Sequence, residues 1–288
     1  MLEILALALL AAVLSGNLCG AVGFYVQRLK ITTLSFSVAH AALAGASLGL
    51  ILNFDPVYSA MVFAISSALI LGVIFTKMKY GRELVSMAIF SASSAIALFA
   101  IYMSNVRVLA TASIAVVLWG SLLAVTVQKL IILVLVLILF ALYILAYRMH
   151  IDSMLYDVKI AEAEGLNVQA HMLAMLFFAG VIISLSLRLT GGFLVFALLY
   201  NPVAAALQLT RKAYMQLFLS STLGAISAST GLVVSYALDW PVGATIAIVS
   251  STILLLAYLS KAATEIARKR KLRNVQKTSK NVGGPGAI

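Results

Sequence analysis

Long apolar runs separated by short polar segments dominate the chain. Nine of them are long enough to cross a bilayer, because a helix needs about 20 apolar residues to span the hydrocarbon core. These runs fall at about 4–26, 35–53, 57–75, 84–103, 130–147, 169–187, 191–209, 214–236 and 242–260. The pattern predicts an all-α fold, a polytopic transmembrane helix bundle of about eight to ten spans, with nine as the best count.

A further segment, from Val108 to Gln128, is also apolar and long enough to cross. A tenth crossing there would place Arg148 and everything after it on the wrong side of the membrane. We therefore interpret 108–128 as re-entrant or interfacial. Irregular backbone at membrane depth is tolerated only where protein or a water-filled cavity covers it, so such a segment would lie near a pathway. An ordinary tenth span is the alternative.

Composition agrees with a membrane protein. Of the 288 residues, 63% are hydrophobic and 10% are charged, whereas soluble domains carry about 25% charged residues. This excludes a soluble enzyme, a disulfide scaffold and a disordered regulator. We assign residues 1–260 to the transmembrane domain.

The net charge of +11, from 20 basic and 9 acidic side chains, is a topology signal. Basic residues follow the first, third, seventh and ninth apolar runs, the pattern of loops on the cytoplasmic side. It predicts an outside amino terminus and a cytoplasmic carboxyl terminus. Eight basic residues lie between Lys261 and Lys280. We expect 261–288 to be a disordered basic tail near anionic lipid, with no role in binding nucleic acid.

His40 is the one histidine in the interior of a predicted span, since His171 falls at the very start of the sixth run. An ionisable group at that depth indicates a substrate or ion path. Ser37 precedes it by three residues and shares its helical face. A neutral imidazole suits zinc, iron or manganese. A histidine that only hydrogen-bonds two helices together is the alternative. His150 and His171 flank the polar segment after the fifth run and are interpreted as interfacial.

Two further positions are candidates for the path. Asp239 lies in the outer turn between the last two runs, where it is a candidate cation ligand or gate; capping of the final helix is the alternative. Asn201 and Pro202 interrupt the seventh run. Proline removes a backbone donor and frees a carbonyl, and broken helices line many substrate sites. A plain kink is the alternative.

The polar segment between Arg148 and Gln169 contains a predicted short helix, with Asp157 near its start and Gly165 as its stop. Such a helix on the cytoplasmic face is a candidate docking site for a soluble partner, and a solvated loop is the alternative.

The chain has no phosphate-binding loop, His-Glu-x-x-His motif or Gly-x-Ser-x-Gly motif, so any ATP hydrolysis must belong to another chain.

Several motifs resemble those of the membrane permeases of metal-ion ABC importers, the ABC-3 type. They occur in the family's order between about residues 16 and 260. The resembling segments are Leu34-Ser35-Phe36-Ser37-Val38-Ala39-His40-Ala41, Leu118-Trp119-Gly120-Ser121-Leu122-Leu123-Ala124-Val125, Asp157-x-x-x-Ala161-x-x-x-Gly165, Leu198-Leu199-Tyr200-Asn201-Pro202-Val203-Ala204-Ala205-Ala206 and Asp239-x-Pro241-x-Gly243.

The resemblance implies a type II importer permease in a prokaryotic plasma membrane, which is not itself an enzyme. Two copies would form the path for zinc, manganese or iron, with ATP on separate ATPase subunits and an extracellular metal-binding protein delivering the ion. This chain would bind no cofactor of its own. The implied ATPase contact comprises Asp157, Ala161, Glu162 and Gly165. The rivals are a secondary transporter that needs no ATPase and, less favoured, an intramembrane enzyme.

The sequence departs from the family at Phe36, where the family usually has an aspartate one helical turn before the histidine. A phenyl ring offers no negative oxygen to neutralise a divalent cation. Either the remaining ligands suffice, with His40 and Asp239 as candidates, or the cargo differs from the usual ion.

Overall fold

The computed structural model describes residues 2–78, 81–107, 120, 125–191 and 195–282. Every regular element in these ranges is a helix. In chain order the helices are α1 (Leu2–Arg28), α2 (Thr32–Ile51), α3 (Pro56–Lys77), α4 (Arg82–Arg107), α5 (Val127–Ala146), α6 (Arg148–Tyr156), α7 (Val158–Ala163), α8 (Val168–Thr190), α9 (Val195–Leu209), α10 (Ala213–Leu238) and α11 (Val242–Val282).

Eight of the described helices are long and apolar enough to span a membrane: α1 to α5, α8, α10 and α11. The remaining apolar helix, α9, has 15 residues and corresponds to the seventh predicted run. The all-α transmembrane bundle is therefore confirmed. The predicted count of nine spans corresponds to eight long helices and one shorter one within the described part of the chain.

When the shorter α9 is included, each membrane helix runs opposite to the one before it, so the helix ends gather at two faces of the bundle. We call the face with Arg28 at the end of α1 and Lys212 before α10 the basic end, and the face with Asp55 and Asp239 the opposite end. At the basic end, Arg28 Nη2 donates to Gln216 Oε1 at 2.8 Å, tying α1 to the first turn of α10. At the opposite end, Lys129 Nζ lies 3.2 Å from Asp55 Oδ2 and ties α5 to α3.

The segment 108–128 falls largely outside the described residues, but the helices on either side of it are described. Ser37 and His40 of α2 contact Ser86 and Ser94 of α4 in that order, so these two helices run parallel. Because α2 starts at the basic end, α4 finishes at the opposite end, where α5 begins. Both flanking helices therefore meet the segment at the same end.

The centre of the bundle is formed by α2 and α8, of which 78% and 72% of the apolar span is buried, against 22% for α4 and 17% for α5. Glycines on α1 let α10 approach closely. A Cβ on Gly16 would overlap the Gly224 carbonyl, and a Cβ on Gly20 would overlap the Ser220 carbonyl. Small residues permit such close contacts between transmembrane helices.

The structure differs from the expectation of a disordered tail over 261–288, because α11 continues through this segment to Val282. Two physical reasons favour the helix. Residues 261–282 contain no glycine or proline and are rich in good helix formers, and basic side chains are favourable near a helix carboxyl end. Residues 283–288 lie outside the described residues.

Candidate functional site

His40 lies in the middle of α2 with 7% of its surface exposed, and α4 supplies its hydrogen-bond partner. Ser94 Oγ is 3.0 Å from His40 Nδ1 and also donates to the Phe90 carbonyl at 2.8 Å. A hydroxyl has a single proton, and Ser94 uses its proton for the bond to the Phe90 carbonyl. In its contact with His40, Ser94 Oγ must therefore be the acceptor, and His40 Nδ1 carries the hydrogen. Neutral His40 then keeps its lone pair on Nε2, the nitrogen that could bind an ion.

Three phenyl rings pack around the His40 imidazole and leave little of it exposed. The ring of Phe90 meets it edge-on with centroids 4.3 Å apart, Phe196 stacks on it at 5.0 Å, and Phe36 lies at 5.1 Å. These residues come from α4, α9 and α2, so three helices converge on His40. We call His40, Ser94 and the three rings the His40 cluster.

The His40 cluster is only partly buried. His40 itself is buried, whereas Phe36, Phe90, Ser94 and Phe196 each keep part of their surface exposed. The described part of this chain therefore does not cover the cluster completely.

Ser37 is buried at the contact between α2 and α4. Its hydroxyl oxygen lies 2.6 Å from the Ser86 carbonyl oxygen and 3.1 Å from the Thr33 carbonyl oxygen, so its single proton is shared between the two acceptors, with the closer contact to Ser86. The structure therefore gives Ser37 a role in holding two helices together, beside its predicted place on the path. Because the Ser37 proton is used in these hydrogen bonds, Ser37 could bind a cation only through the lone pairs of its hydroxyl oxygen.

Asn201 and Pro202 lie within α9, which runs without a break from Val195 to Leu209. The predicted interruption of this helix is therefore absent. Asn201 Nδ2 donates to Ser250 Oγ and Ser251 Oγ, each at 3.0 Å, and so links α9 to α11. The free backbone carbonyl that proline creates belongs to Leu198, four residues earlier.

Asp239 is exposed at the opposite end and does not join the His40 cluster. It adopts a left-handed conformation with φ of 52° as the residue that ends α10. It lies between α10 and α11, whereas His40 lies in α2, which packs on α3, α4 and α8. The two candidate metal ligands are thus separate within one chain. No group of three or more His, Cys, Asp or Glu side chains could hold a metal ion among the described residues.

The predicted short helix is confirmed as α7. Asp157 Oδ1 caps it by accepting from the Lys159 and Ile160 amides at 2.7 and 3.4 Å. It ends at Ala163, and Gly165, two residues later, turns the chain away with a φ of +80°, a conformation that glycine adopts without strain.

The side chains of α7 divide between the bundle and solvent. Ala161 is fully buried, whereas Glu162 and Gly165 are exposed. The Ser153 hydroxyl donates to Glu164 Oε2 at 2.7 Å and ties the end of α7 back to α6. The short helix is therefore fixed in place at the basic end, and its outer surface carries Asp157, Glu162 and Glu164 beside Lys159.

Comparison with known proteins identifies the family. The model of the ABC 3 transport family matches residues 1–261. The chain belongs to the ABC 3 transport family. Similar proteins include the manganese transport system membrane protein MntC of Listeria monocytogenes, 29% identical over 92% of this chain and 94% of the relative. MntC of Listeria innocua is 30% identical over 88% and 89% of the two chains.

Solved structures show the same fold. A chain of PsaBC from Streptococcus pneumoniae, solved in complex with a Fab, superposes with a TM-score of 0.75. The match covers 87% of this chain and 89% of that one, at 24% sequence identity. The helical arrangement of this ABC 3 member is therefore shared with a solved chain despite low sequence identity.

Several residues that shape the site of this ABC 3 member were not found from the sequence. Ser94, Phe90 and Phe196 surround His40 but lie far from it in the chain. The small polar run around Ser94 inside an otherwise apolar span was the available signal, because buried hydroxyls in a membrane need partners. For Phe196 there was no signal, since a phenylalanine in an apolar run is expected anywhere.

Proposed function

We propose that this chain is the permease subunit of an ATP-driven importer of a divalent metal ion: zinc, manganese or iron. Family membership over residues 1–261 carries the proposal. The names of the relatives, which are manganese transport membrane proteins, support a metal cargo. In this proposal the chain is not an enzyme and binds no cofactor, and the ion is its substrate.

Two copies of the chain form the path in this proposal. The partial exposure of the His40 cluster supports it, because a second copy would complete the cover of the cluster. The described residues of one chain contain no three-ligand metal group. A divalent ion crossing beside His40 would therefore draw its further ligands from water or from the second copy.

Separate ATPase subunits dock on the basic end in this proposal, on the exposed Asp157, Glu162 and Gly165. Ala161, which the sequence also placed in this contact, is fully buried and packs α7 against the bundle instead. Large apolar side chains are exposed near α7: Met149 is 85% exposed, Tyr156 84% and Ile160 44%. Exposed apolar side chains beside charged ones are typical of protein interaction sites. An extracellular metal-binding protein would deliver the ion at the opposite end.

The membrane is a prokaryotic plasma membrane, with the basic end in the cytoplasm. The positive-inside rule supports this orientation, since the turns after α1 and α9 carry basic pairs. The amino terminus of α1 is then outside, and the carboxyl end of α11 is cytoplasmic.

Copurification with the ATPase tests the proposal. We expect detergent-solubilised protein to associate with its ATPase subunit, and Glu162→Arg to weaken that association because it reverses the charge on the exposed face of α7. Glu265→Arg, which reverses an exposed acidic residue on α11, is the matched control and should associate normally. Transport that persists without any ATPase, together with an unaffected Glu162→Arg variant, would favour a secondary transporter instead.

A further inference from the structure

Two histidines that the proposed path does not use meet at the basic end. His150 is near the start of α6 and His171 is in the first turn of α8. His150 Nδ1 lies 3.3 Å from His171 Nε2, and the ring centroids are 5.3 Å apart. His171 is 8% exposed, and His150 is half-buried. The fold therefore brings together two imidazoles that are 21 residues apart in the chain.

A third side chain orients this pair. The Tyr143 hydroxyl of α5 lies 2.8 Å from His171 Nδ1. When His171 donates its Nδ1–H to this hydroxyl, its Nε2 presents a lone pair toward His150. Histidines that bind metals almost always donate their other ring N–H in this way, which fixes both the tautomer and the ring orientation.

The spacing of the two nitrogens fits a shared metal ion. Two imidazole nitrogens bound at about 2.0–2.1 Å to one tetrahedral ion stand roughly 3.3 to 3.4 Å apart. The observed separation between His150 and His171 is 3.3 Å. The two nitrogens therefore already have the separation that a shared ion requires. Binding further needs the His150 proton on Nε2 instead of Nδ1 and a rotation of the rings that turns both lone pairs toward the ion.

The two charged side chains on α6 beside His150, Arg148 and Asp152, pair with each other. Arg148 precedes His150 by two residues, and its Nε lies 3.7 Å from Asp152 Oδ2. Asp152 also accepts a hydrogen bond from the Tyr214 hydroxyl. The positive charge of Arg148, which would oppose a cation, is thereby partly balanced by Asp152. The ring of Tyr147 packs against both imidazoles and forms one wall.

We propose that His150 and His171 form a binding site for a divalent transition-metal ion that prefers nitrogen ligands, represented by Zn²⁺. Two imidazoles without a carboxylate favour Zn²⁺ or Ni²⁺ over Mn²⁺, because affinity for nitrogen sites rises along that series and manganese favours oxygen ligands. Water completes the coordination. This site is separate from His40 and does not depend on what the chain transports.

A bound ion would connect α6 to α8, the two helices that flank α7. It would restrain the segment that carries the proposed ATPase contact. This consequence, unlike the site itself, rests on the proposed function. In a complete transport complex, micromolar Zn²⁺ should slow ATP-driven uptake of a different ion by the wild type and not by the His150→Gln variant.

Zinc binding to the full-length protein, purified without a histidine tag, tests the site directly. A competing zinc indicator should report a site that His150→Gln and His171→Gln each weaken. We expect Tyr143→Phe to weaken it by roughly 10- to 100-fold, the usual effect of removing a group that orients a metal ligand. His40→Gln is the control and should keep this site. Mn²⁺ should compete poorly.

X-ray absorption of the zinc-loaded wild type provides a second readout that needs no variant to fold. We expect scattering from two imidazoles at the zinc ion. A spectrum without two imidazoles, or equal zinc affinity in the wild type and a folded His150→Gln/His171→Gln variant, would overturn the site. Zinc binding without inhibition of uptake would leave the site standing and remove only its proposed effect on α7.

Discussion

The His40 imidazole is held by one hydroxyl and three aromatic rings, and this surrounding determines what it can bind. Ser94 occupies Nδ1, so only Nε2 is available to an ion. The rings cover most of the imidazole without supplying negative charge. An ion beside His40 therefore loses part of its hydration shell and gains one neutral nitrogen ligand. For a hard divalent cation this replacement is unfavourable unless oxygen ligands from elsewhere also bind it.

We predict that His40→Ala reduces uptake of the physiological ion at least tenfold while protein abundance stays unchanged. The reason is the loss of the one imidazole within the candidate path. Uptake of radioactive or isotopically labelled metal ion by cells that express each variant measures the effect.

Ser47→Ala is the matched control for this prediction. Ser47 is buried in the same helix and its hydroxyl donates to the Leu43 carbonyl at 2.9 Å, so its loss should leave uptake intact. Wild-type uptake in the His40→Ala variant would reduce His40 to a packing residue.

The position of His40 could be predicted from the sequence, but its surroundings could not. An ionisable residue in an apolar run is conspicuous, because burying it in a membrane is costly. Its partner Ser94 is 54 residues away, and only the packing of α4 against α2 brings the two together. The pairing of His150 with His171 could not be predicted for the same reason, since it depends on how the fold brings the start of α6 to the start of α8.

At the scale of single elements, local signals were sufficient for α7. Its cap and its stop are encoded within a few residues: Asp157 accepts from amides just after it, and Gly165 adopts a left-handed conformation. The end of α11 was not predicted, because basic composition suggested disorder while helix propensity favoured continuation. For residues 261–282, the basic composition predicts disorder and the helix propensity of the residues predicts a helix. The structure has the helix.

Asp157→Ala should destabilise α7 by about 1 kcal/mol, because the amides at the helix start lose their acceptor. Hydrogen exchange of residues 158–163 should then be roughly fivefold faster. Asp157→Ser retains a capping oxygen and should exchange at nearly the wild-type rate. Equal exchange in both variants would show that packing of Ala161, rather than the cap, maintains the helix.

Gly20→Ala should destabilise the contact between α1 and α10 by about 1–3 kcal/mol, the usual cost of overpacking. The added Cβ would overlap the Ser220 carbonyl, and backbone atoms cannot move aside as a side chain can. The midpoint of thermal unfolding in detergent measures the loss.

Gly180→Ala serves as the control for this substitution. There the added Cβ would meet Val38 Cγ1 at 3.2 Å and Ala64 Cβ at 3.3 Å, so the neighbours need to give way by only a few tenths of an ångström, whereas at Gly20 the overlap with a backbone carbonyl is far deeper. We expect Gly180→Ala to lower the midpoint of thermal unfolding less than Gly20→Ala does. A larger decrease for Gly180→Ala would contradict the close approach of α1 and α10.

At the scale of the whole molecule, the fold and the family could be predicted because both depend on features spread along the chain. Apolar runs mark the spans, and ordered motifs mark the family. The sidedness of the bundle follows from charge: the basic end carries Arg211 and Lys212, whereas the turn between α10 and α11 at the opposite end carries Asp239. If the positive-inside rule applies, these two turns lie on different sides of the membrane.

Single-cysteine labelling tests this orientation, and the chain suits the method because Cys19 is its only cysteine and is buried. On a Cys19→Ser background, we expect a membrane-impermeant maleimide to label Trp240→Cys in intact cells. Lys212→Cys should be labelled only after the membrane is permeabilised. Both native residues are exposed, so access to the thiol depends on the side of the membrane and not on burial. The reverse pattern would place the basic end outside, and ATPase subunits in the cytoplasm could then not reach α7.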